Sequence, residues 1–504
     1  MKNKFALILI FLLSINLLKA NNLQISNISA PSNNQIQFDV QWDNSWNASA
    51  PSYNWDAIWL FVKTQVCGVG SSPWQHSDLR NISLDHTVSG TILQIDAVSD
   101  GKGIFLRRST LGGGNIGATT VTLKFTSTFT PANTNYEVFG IEMVNVPSGS
   151  FTVGDGSSTI SQSTNAFGSN NSTPYTITSE NAMIQDQLRN DPAGPAAITA
   201  HNAIPAAFPK GFASFYSMKY EISQNQYGAF LNNLEYSQQS SRMGVVPSST
   251  IGTRIFSAND NRNTLEIKSA GVAFSTPAQV GNDLNSNDVF DEATDGGNIA
   301  CNFLSWEDLK AYLDWAALRP MTELEYEKIC RGTNTPVLVE YAWSNTTINQ
   351  ATSASISNSG AANEISTSTA DGLAAYNGGS STVLGPIRVG FAATAATNRS
   401  GAGSGFYGIF DLSGNVWEQT WGCGWYNGAV RINTPTFTGV LGNGYIDASG
   451  FADAVNWGGV ALSEVRGGNW EYTAQRCQTS DRFYLNSTAE NNTRVRRTGG
   501  RGVR

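Results

Sequence analysis

Charged side chains are scarce in this sequence, at 14% of its 504 residues against about 25% in an average soluble protein. Histidine is rarer still, with three in the whole chain. The formal net charge is -8 and no basic stripe is present, which argues against nucleic-acid binding. The polarity comes from asparagine, serine, threonine and glycine instead, a profile typical of a loop-rich and strand-rich protein outside the cytoplasm.

Apolar runs long enough to cross a bilayer are also lacking. The run near the N-terminus, Phe5 to Leu18, is shorter than the roughly 20 residues that a membrane helix needs. It follows two lysines and precedes Ala20, which predicts a secretory signal peptide over residues 1–20. No cysteine follows the cleavage point, so we expect no lipid anchor. The sequence thus predicts an exported mature chain without a transmembrane segment, in a periplasm, at the cell surface or secreted.

Cysteine is also scarce, and the chain has five, an odd number. Export permits disulfides, but an odd count leaves at least one thiol free or paired between chains. The five cysteines are Cys67, Cys301, Cys330, Cys423 and Cys477.

Short runs of β type fill the N-terminal quarter of the chain. Examples are "QIQFDVQWDNSW", "WDAIWLFVKTQV" and "TTVTLKFTSTF", which alternate or are rich in β-branched and aromatic residues and are separated by turn residues. We predict an antiparallel β-sandwich domain over residues 21–134. A hairpin-like pair of strands is expected next, over Tyr136 to Gly156.

Helical periodicity appears only in the second part of the chain. "SWEDLKAYLDWAAL" has apolar residues at helical spacing, and "TELEYEKICRG" opens with a capping box of Thr322 and Glu325 and ends at Gly332. We predict a second domain over residues 135–504, with polar insertions near 157–210 and 345–404. The fold class is therefore α+β, with two main helices and much irregular structure.

Six motifs occur in a recognisable order in this second part: "MVNVPSGSFTVG", "MKYEISQNQYGAFL", "LSWEDLKAYLDWAALRPMTELEYEKICRG", "GIFDLSGNVWEQ", "RGGNW" and "GRGVR". Together they resemble the formylglycine-generating enzyme family, also called the sulfatase-modifying factor family. The resemblance implies a compact fold related to C-type lectins. It also implies an enzyme that oxidises a protein cysteine with oxygen and copper, the copper being held by two cysteines just after "RGG".

The loop after "RGG" departs from the pattern of that family. Between Gly468 and Cys477 the chain reads "NWEYTAQR", without a cysteine. Cu(I) selects soft thiolate ligands, and one cysteine cannot supply a pair. We therefore expect no copper and assign no catalytic residue. The resemblance matches Cys477 to a structural cysteine whose partner corresponds to Cys330, which implies a Cys330–Cys477 disulfide; the alternative is two buried free thiols.

Calcium is the metal that the remaining motifs favour. Asp411 and Glu418 offer carboxylate oxygens, and Gly414 and Val416 offer backbone carbonyls around a tight turn, a set of hard ligands that suits Ca²⁺. The resemblance implies calcium at these positions and a second calcium site near Asn363. The alternative is a plain turn whose asparagine and tryptophan are buried for packing.

An acidic loop, Asp283 to Gly297, begins like a calcium-binding EF-hand loop. It lacks the glycine at position six and the glutamate at position twelve. A solvated acidic loop is the simpler interpretation, and a calcium site of another type is the alternative.

Three functions are consistent with these patterns. The first is an exported binding or structural protein that recognises an unknown protein or glycan ligand and is stabilised by calcium. The second is a metal-dependent oxidoreductase of the same family that acts on a protein cysteine, using Cys423 in "WGCGW" or a metal that no motif reveals. The third, from fold analogy alone, is a carbohydrate-binding adhesin. The missing cysteine pair favours the first and leaves enzymatic activity unsettled, with a preference against it.

Overall fold

The structure is a computed structural model, and it describes most but not all of the chain. The described residues are 22–67, 73–156, 166–167, 173–188, 203–256, 261–351, 356–378, 385–394, 397–423, 434–459, 463–484, 490 and 492–504. The predicted signal peptide, residues 1–20, lies outside them and stays a prediction. No helix of the described part combines the length and the apolar character that crossing a membrane demands.

The helices begin and end where local capping chemistry predicts. Ser305 accepts a hydrogen bond from the N–H of Asp308, and Thr322 accepts one from the N–H of Glu325, so both predicted helices open with a capping box. Gly332 ends the second of them with a φ of 63°. The α-helices of the described residues are α1 (Gln224–Asn232), α2 (Tyr236–Arg242), α3 (Trp306–Trp315) and α4 (Glu323–Arg331).

Strands are numerous and mostly short after the first third of the chain. Those of the first part are β1 (Gln24–Ser32), β2 (Gln35–Asn47), β3 (Asp56–Val66), β4 (Gln75–His76), β5 (Thr87–Val88), β6 (Leu93–Ala97), β7 (Ile104–Arg108), β8 (Gly112–Lys124), β9 (Thr134–Val146) and β10 (Phe151–Val153). The others are β11 (Tyr175–Ile177), β12 (Met183–Ile184), β13 (Ala203–Ile204), β14 (Phe215–Met218), β15 (Leu265–Ser269), β16 (Gln279–Asn282), β17 (Arg319–Pro320), β18 (Asn349–Gln350), β19 (Ile356–Ser357), β20 (Ile365–Ser366), β21 (Leu373–Ala374), β22 (Trp417–Trp421), β23 (Ser463–Arg466), β24 (Thr498–Gly499) and β25 (Gly502–Val503).

Two sheets form the N-terminal sandwich. One has the order β1-β2-β8-β5, and the other has eight strands with β17-β25-β14-β9-β3-β7-β6 as its main path. β3 is buried on both faces. Ile58, Leu60 and Val62 lie in the core shared with β2, whereas Trp59 and Phe61 lie in the core shared with α1 and α3. The larger sheet is therefore the middle layer between the smaller sheet and the helices, and the predicted α+β class is confirmed.

The larger sheet crosses the expected domain boundary without a break. β9 pairs antiparallel with β3 from Thr134 opposite Val66 to Val144 opposite Asp56, and its other edge pairs with β14. The division at residue 134 stays a prediction, although backbone hydrogen bonds join strands from both sides of it. The predicted hairpin over 136–156 is wrong: β9 pairs with β3 and β14, and β10 pairs with β11, because long-range pairing overrides the local turn signal.

Candidate functional site

Two adjacent strands carry the motifs that the sequence analysis singled out. β22 continues from the calcium motif, and β23 ends at Arg466, directly opposite Glu418 in the antiparallel register. Gly467 and Gly468 then take φ values of 85° and 74°, which glycine adopts without steric cost. A Cβ at position 468 would lie 2.5 Å from the Sγ of Cys477. The double-glycine turn therefore seats Cys477 directly against the end of β23.

A buried ionic cluster lies beside this turn. Nη2 of Arg466 donates to Oε1 of Glu327 at 2.6 Å, and Nε of Arg482 donates to Oε2 of Glu323 at 2.6 Å. Nη1 of Arg331 donates to the other oxygen of Glu327 at 3.1 Å. Burial alone would raise the pKa of Glu327, but the charges of Arg466 and Arg331 hold it below its usual value. Glu323 and Glu327 of α4 thus serve as counter-ions of buried arginines, and buried charges require such partners.

Part of the predicted polar insertion, residues 157–210, covers this cluster. The ring centroid of Phe167 lies 4.0 Å from the guanidinium carbon of Arg482 and 5.8 Å from that of Arg466. Phe167 and Leu188 are both buried in the main core. Two apolar side chains thus anchor the predicted polar insertion to the core.

The thiols near the candidate site are buried. Cys477 and Cys330 have no exposed surface, and Cys423 is 1% exposed. Burial raises the pKa of Cys330 to about 12 and the pKa values of Cys423 and Cys477 well above their usual range. For Cys423 the negative charge of Glu323, which accepts from the Cys423 N–H at 2.7 Å, adds to the rise. Since the thiolate is the nucleophile and the metal ligand, none of these cysteines is activated.

The expected Cys330–Cys477 disulfide is absent from the structure. All five cysteines belong to the described residues, and each is a free thiol. Cys330 and Cys477 do lie in one core cluster, together with Tyr326 and Leu412. Both pack there as small hydrophobic side chains, as buried cysteines do. The alternative of two buried free thiols is what the structure has.

Glu418, one of the predicted calcium ligands, contacts the guanidinium group of Arg501 instead. Both of its carboxylate oxygens accept from Nε of Arg501, at 2.8 and 2.7 Å, and Nη2 of Arg501 also donates to the carboxylate. Asp411 accepts from the N–H of Gly390 at 2.6 Å. Because the guanidinium group of Arg501 engages both oxygens of Glu418, this carboxylate is not placed to bind a divalent ion. Calcium at this motif stays a prediction, and Arg501 competes with it.

The rest of the motif is a tight turn held by protein contacts. The N–H of Gly414 donates to the carbonyl oxygen of Gly467 at 2.8 Å. Glu221 accepts from the N–H of Val416 at 3.1 Å and from Nδ2 of Asn415 at 2.5 Å. Sequence reasoning does not single out Glu221 or Arg501, although both occur in motifs that carry the resemblance, "MKYEIS" and "GRGVR".

These carboxyl groups lie close enough to influence one another. Burial raises the pKa of Asp411 to about 6, with Glu418 adding to the rise and Arg501 opposing it. Burial also raises the pKa of Glu221 well above its usual value, and the negative charges of Asp411 and Glu418 add to this. Three buried carboxyl groups therefore share the positive charge of Arg501, and Glu418 is the one that contacts it directly.

Among the described residues, no group of calcium ligands surrounds Asn363, where the second calcium site is expected. The carbonyl oxygen of Asn363 accepts from Nδ2 of Asn358 at 3.5 Å. The neighbouring carboxylate, Glu364, is ion-paired with Arg262 and accepts from the N–H of Gly360 at 2.7 Å. This second site also stays a prediction.

The acidic loop brings three carboxylates together. Oxygens of Glu266, Asp283 and Asp288 lie within 4.8 Å of one another. Asp283 accepts from the N–H groups of Asn287 and Asp288 at 3.2 and 2.8 Å, and Glu266 lies 3.4 Å from Arg254. Asp283 and Glu266 are buried and only Asp288 is exposed, so the solvated interpretation does not hold for Asp283. A calcium site of another type stays a prediction.

Comparison with protein families identifies the second part of the chain. Residues 131–504 match the family model described as the sulfatase-modifying factor enzyme 1-like domain. No curated protein matches the chain at the significance that the comparison requires. The matched range contains α1 to α4, the double-glycine turn and the calcium motif.

Proposed function

The chain belongs to the sulfatase-modifying factor family, and within that family we propose that it is an exported binding or structural protein without catalytic activity. The burial of Cys477 carries this proposal. Cys477 is the only cysteine of the loop that follows Arg466, and burial holds its thiol in the protonated form.

The environment of the loop supports the same conclusion. The oxidation that the resemblance implies needs two adjacent thiolates for copper. Cys330 shares a core cluster with Cys477 but is fully buried, and Cys423 is buried beside the carboxylate of Glu323. A negative charge at that position disfavours a thiolate, so the pair does not form from these side chains.

Export is supported by the sequence rather than by any contact in the fold. The basic and apolar pattern of residues 1–20 and the low charge content are both typical of secreted or cell-surface chains. Expression with the native leader, followed by fractionation and mass determination of the mature N-terminus, tests this part of the proposal. Retention of residues 1–20 in a cytoplasmic product would contradict it.

Copper content and turnover test the catalytic part. The purified chain, loaded with Cu(I) and dialysed, is expected to retain far less than one copper per chain and to leave a cysteine-containing sulfatase peptide unoxidised. A family member that has both loop cysteines serves as the positive control. Stoichiometric copper with peptide oxidation would contradict the proposal, and loss of that activity in Cys423→Ser would establish the oxidoreductase alternative.

A further inference from the structure

A cavity of about 570 Å³ lies where the strand ends of the middle sheet meet the helices. Trp74 and Glu137 line it from the sheet side, Asn233, Glu235 and Tyr236 from the junction of α1 and α2, and Phe274 from a turn between β15 and β16. It is distinct from the double-glycine turn and the calcium motif, none of whose residues lines it. Its volume is in the range of small-ligand sites.

Aromatic side chains form the rim of the cavity. Phe274 is 94% exposed at the tip of a turn in which Val272 and Thr276 exchange backbone hydrogen bonds. Its ring centroid lies 5.8 Å from that of Tyr236. Trp74 is half-buried on the opposite, sheet-side wall. The faces of such rings carry partial negative charge and attract cations.

One of the residues that line the cavity has a buried hydrogen-bond acceptor without a partner. Asn233 is 6% exposed, and its Nδ2 donates to Oε2 of Glu137 at 2.8 Å. Its Oδ1 has no hydrogen-bond partner. A buried acceptor is costly to leave unsatisfied, so a ligand that donates a hydrogen bond here is favoured.

The cavity also lacks a positive charge to balance its carboxylates. Burial raises the pKa of Glu137, and only the hydrogen bond from Asn233 opposes this. The cross-strand neighbour of Glu137 is Lys63, but its ammonium group donates instead to the carbonyl oxygens of Trp315 and Gly444, at 2.7 and 2.5 Å. No lysine, arginine or histidine among the described residues lines the cavity, while Glu235 adds a second carboxylate.

We propose that this cavity binds an ammonium or guanidinium group, with Glu137 and the Oδ1 of Asn233 accepting its hydrogen bonds and the aromatic rim enclosing its hydrocarbon part. The group can come from a small organic amine or from a basic side chain of a peptide. A cationic ligand of this kind would specify what the chain binds in its proposed role as a binding protein. It does not depend on the absence of catalysis, so a positive copper assay would overturn the proposed function and leave this site in place.

Calorimetric titration of the full mature chain tests the site. The probes are n-hexylamine, agmatine and a short peptide with one central lysine, and the matched neutral probes are n-hexanol and the same peptide with acetyl-lysine. We expect the charged probes to bind at least tenfold more tightly than their neutral counterparts. Binding of the free amines identifies a small-molecule ligand, whereas binding of the lysine peptide alone identifies a basic side chain; both outcomes support the proposal.

Two variants with one control separate recognition from folding. Glu137→Gln is expected to weaken the binding of hexylamine or the lysine peptide at least tenfold. Phe274→Ala should weaken it several-fold and leave the melting temperature unchanged, because Phe274 is exposed. Asp371→Asn, which removes an exposed carboxylate elsewhere, is the control and should bind as the parent chain does. Equal binding of hexanol and hexylamine, an unaffected Phe274→Ala variant, or no binding of any charged probe at millimolar concentration would overturn the proposal.

Discussion

Arg501 and Glu418, 83 positions apart in the chain, form a buried ion pair in which the guanidinium donates to both carboxylate oxygens. Glu418 lies in the motif for which sequence analysis favours calcium, so an internal cation occupies the carboxylate that the metal would need. A guanidinium matches a carboxylate in a planar, bidentate geometry that a point charge does not reproduce. The pair also ties the C-terminal β25 region to β22.

Removing Arg501 should destabilise the chain strongly. Arg501→Gln leaves Glu418 buried without its counter-ion, which typically costs about 3–5 kcal/mol of unfolding free energy. Urea denaturation followed by tryptophan fluorescence measures this loss. The double variant Arg501→Gln with Glu418→Gln should recover part of it, and a double variant as unstable as the sum of both single ones would contradict a direct pairing.

The same pair predicts how the chain responds to calcium removal. With Arg501 on Glu418, we expect EGTA to leave the melting temperature of the parent chain unchanged. In Arg501→Gln the carboxylate of Glu418 loses its guanidinium partner and becomes available to a metal ion. Added calcium should therefore raise the melting temperature of that variant. A fall in the melting temperature of the parent chain with EGTA, absent in Glu418→Gln, would restore the calcium site that the sequence predicts.

Thiol reactivity distinguishes free cysteines from the disulfide that the resemblance implies. In the folded chain only Cys67 is partly exposed, so we expect one thiol to react rapidly with Ellman's reagent and five to react in guanidinium chloride. Cys67→Ser should abolish the rapid reaction and leave four thiols after unfolding. Three reactive thiols in the unfolded parent chain would show one disulfide, and four in Cys330→Ser would show that Cys330 takes part in it.

Local signals in the sequence predict the local structure well, but not the pairings that build the site. The capping box of Thr322 and Glu325 sets the start of α4, and Gly332 sets its end, all within eleven positions of the chain. The contacts of Phe167 with Arg482 and of Glu221 with Asn415 join residues 315 and 194 positions apart. No periodicity encodes such contacts, because they depend on which strands pair and not on the propensities of either segment.

Asp314 should make stability depend on pH. Burial raises its pKa to about 6 from 3.8, although the N–H groups of Asn443, Asp453 and Ala454 donate to it and oppose the rise. The folded state therefore binds more protons than the unfolded state between pH 4 and 6, and stability from this group rises as the pH falls through that window. The gain is at most about 3 kcal/mol.

Denaturation of Asp314→Asn across the same pH range isolates this contribution. Other carboxyl groups titrate in both chains, so the quantity to compare is the slope of unfolding free energy against pH, not its absolute value. The variant should lose less stability than the parent chain as the pH rises from 4 to 6. Identical slopes would show that Asp314 titrates alike in the folded and unfolded states.

Gly468 should tolerate no side chain, because two separate costs meet at its position. Its φ of 74° costs an alanine about 1–2 kcal/mol, and the added Cβ would lie 2.5 Å from the Sγ and 2.8 Å from the backbone nitrogen of Cys477. Gly90→Ala is the matched control, since Gly90 has a φ of 78° with no atom within 4 Å of the added Cβ. We expect Gly468→Ala to lose about 1–3 kcal/mol more than Gly90→Ala in urea denaturation, the usual range for overpacking a core. If Gly468→Ala also made Cys477 reactive toward Ellman's reagent, the turn would be what keeps that thiol buried; equal losses in the two variants would show that the contact with Cys477 relaxes without cost.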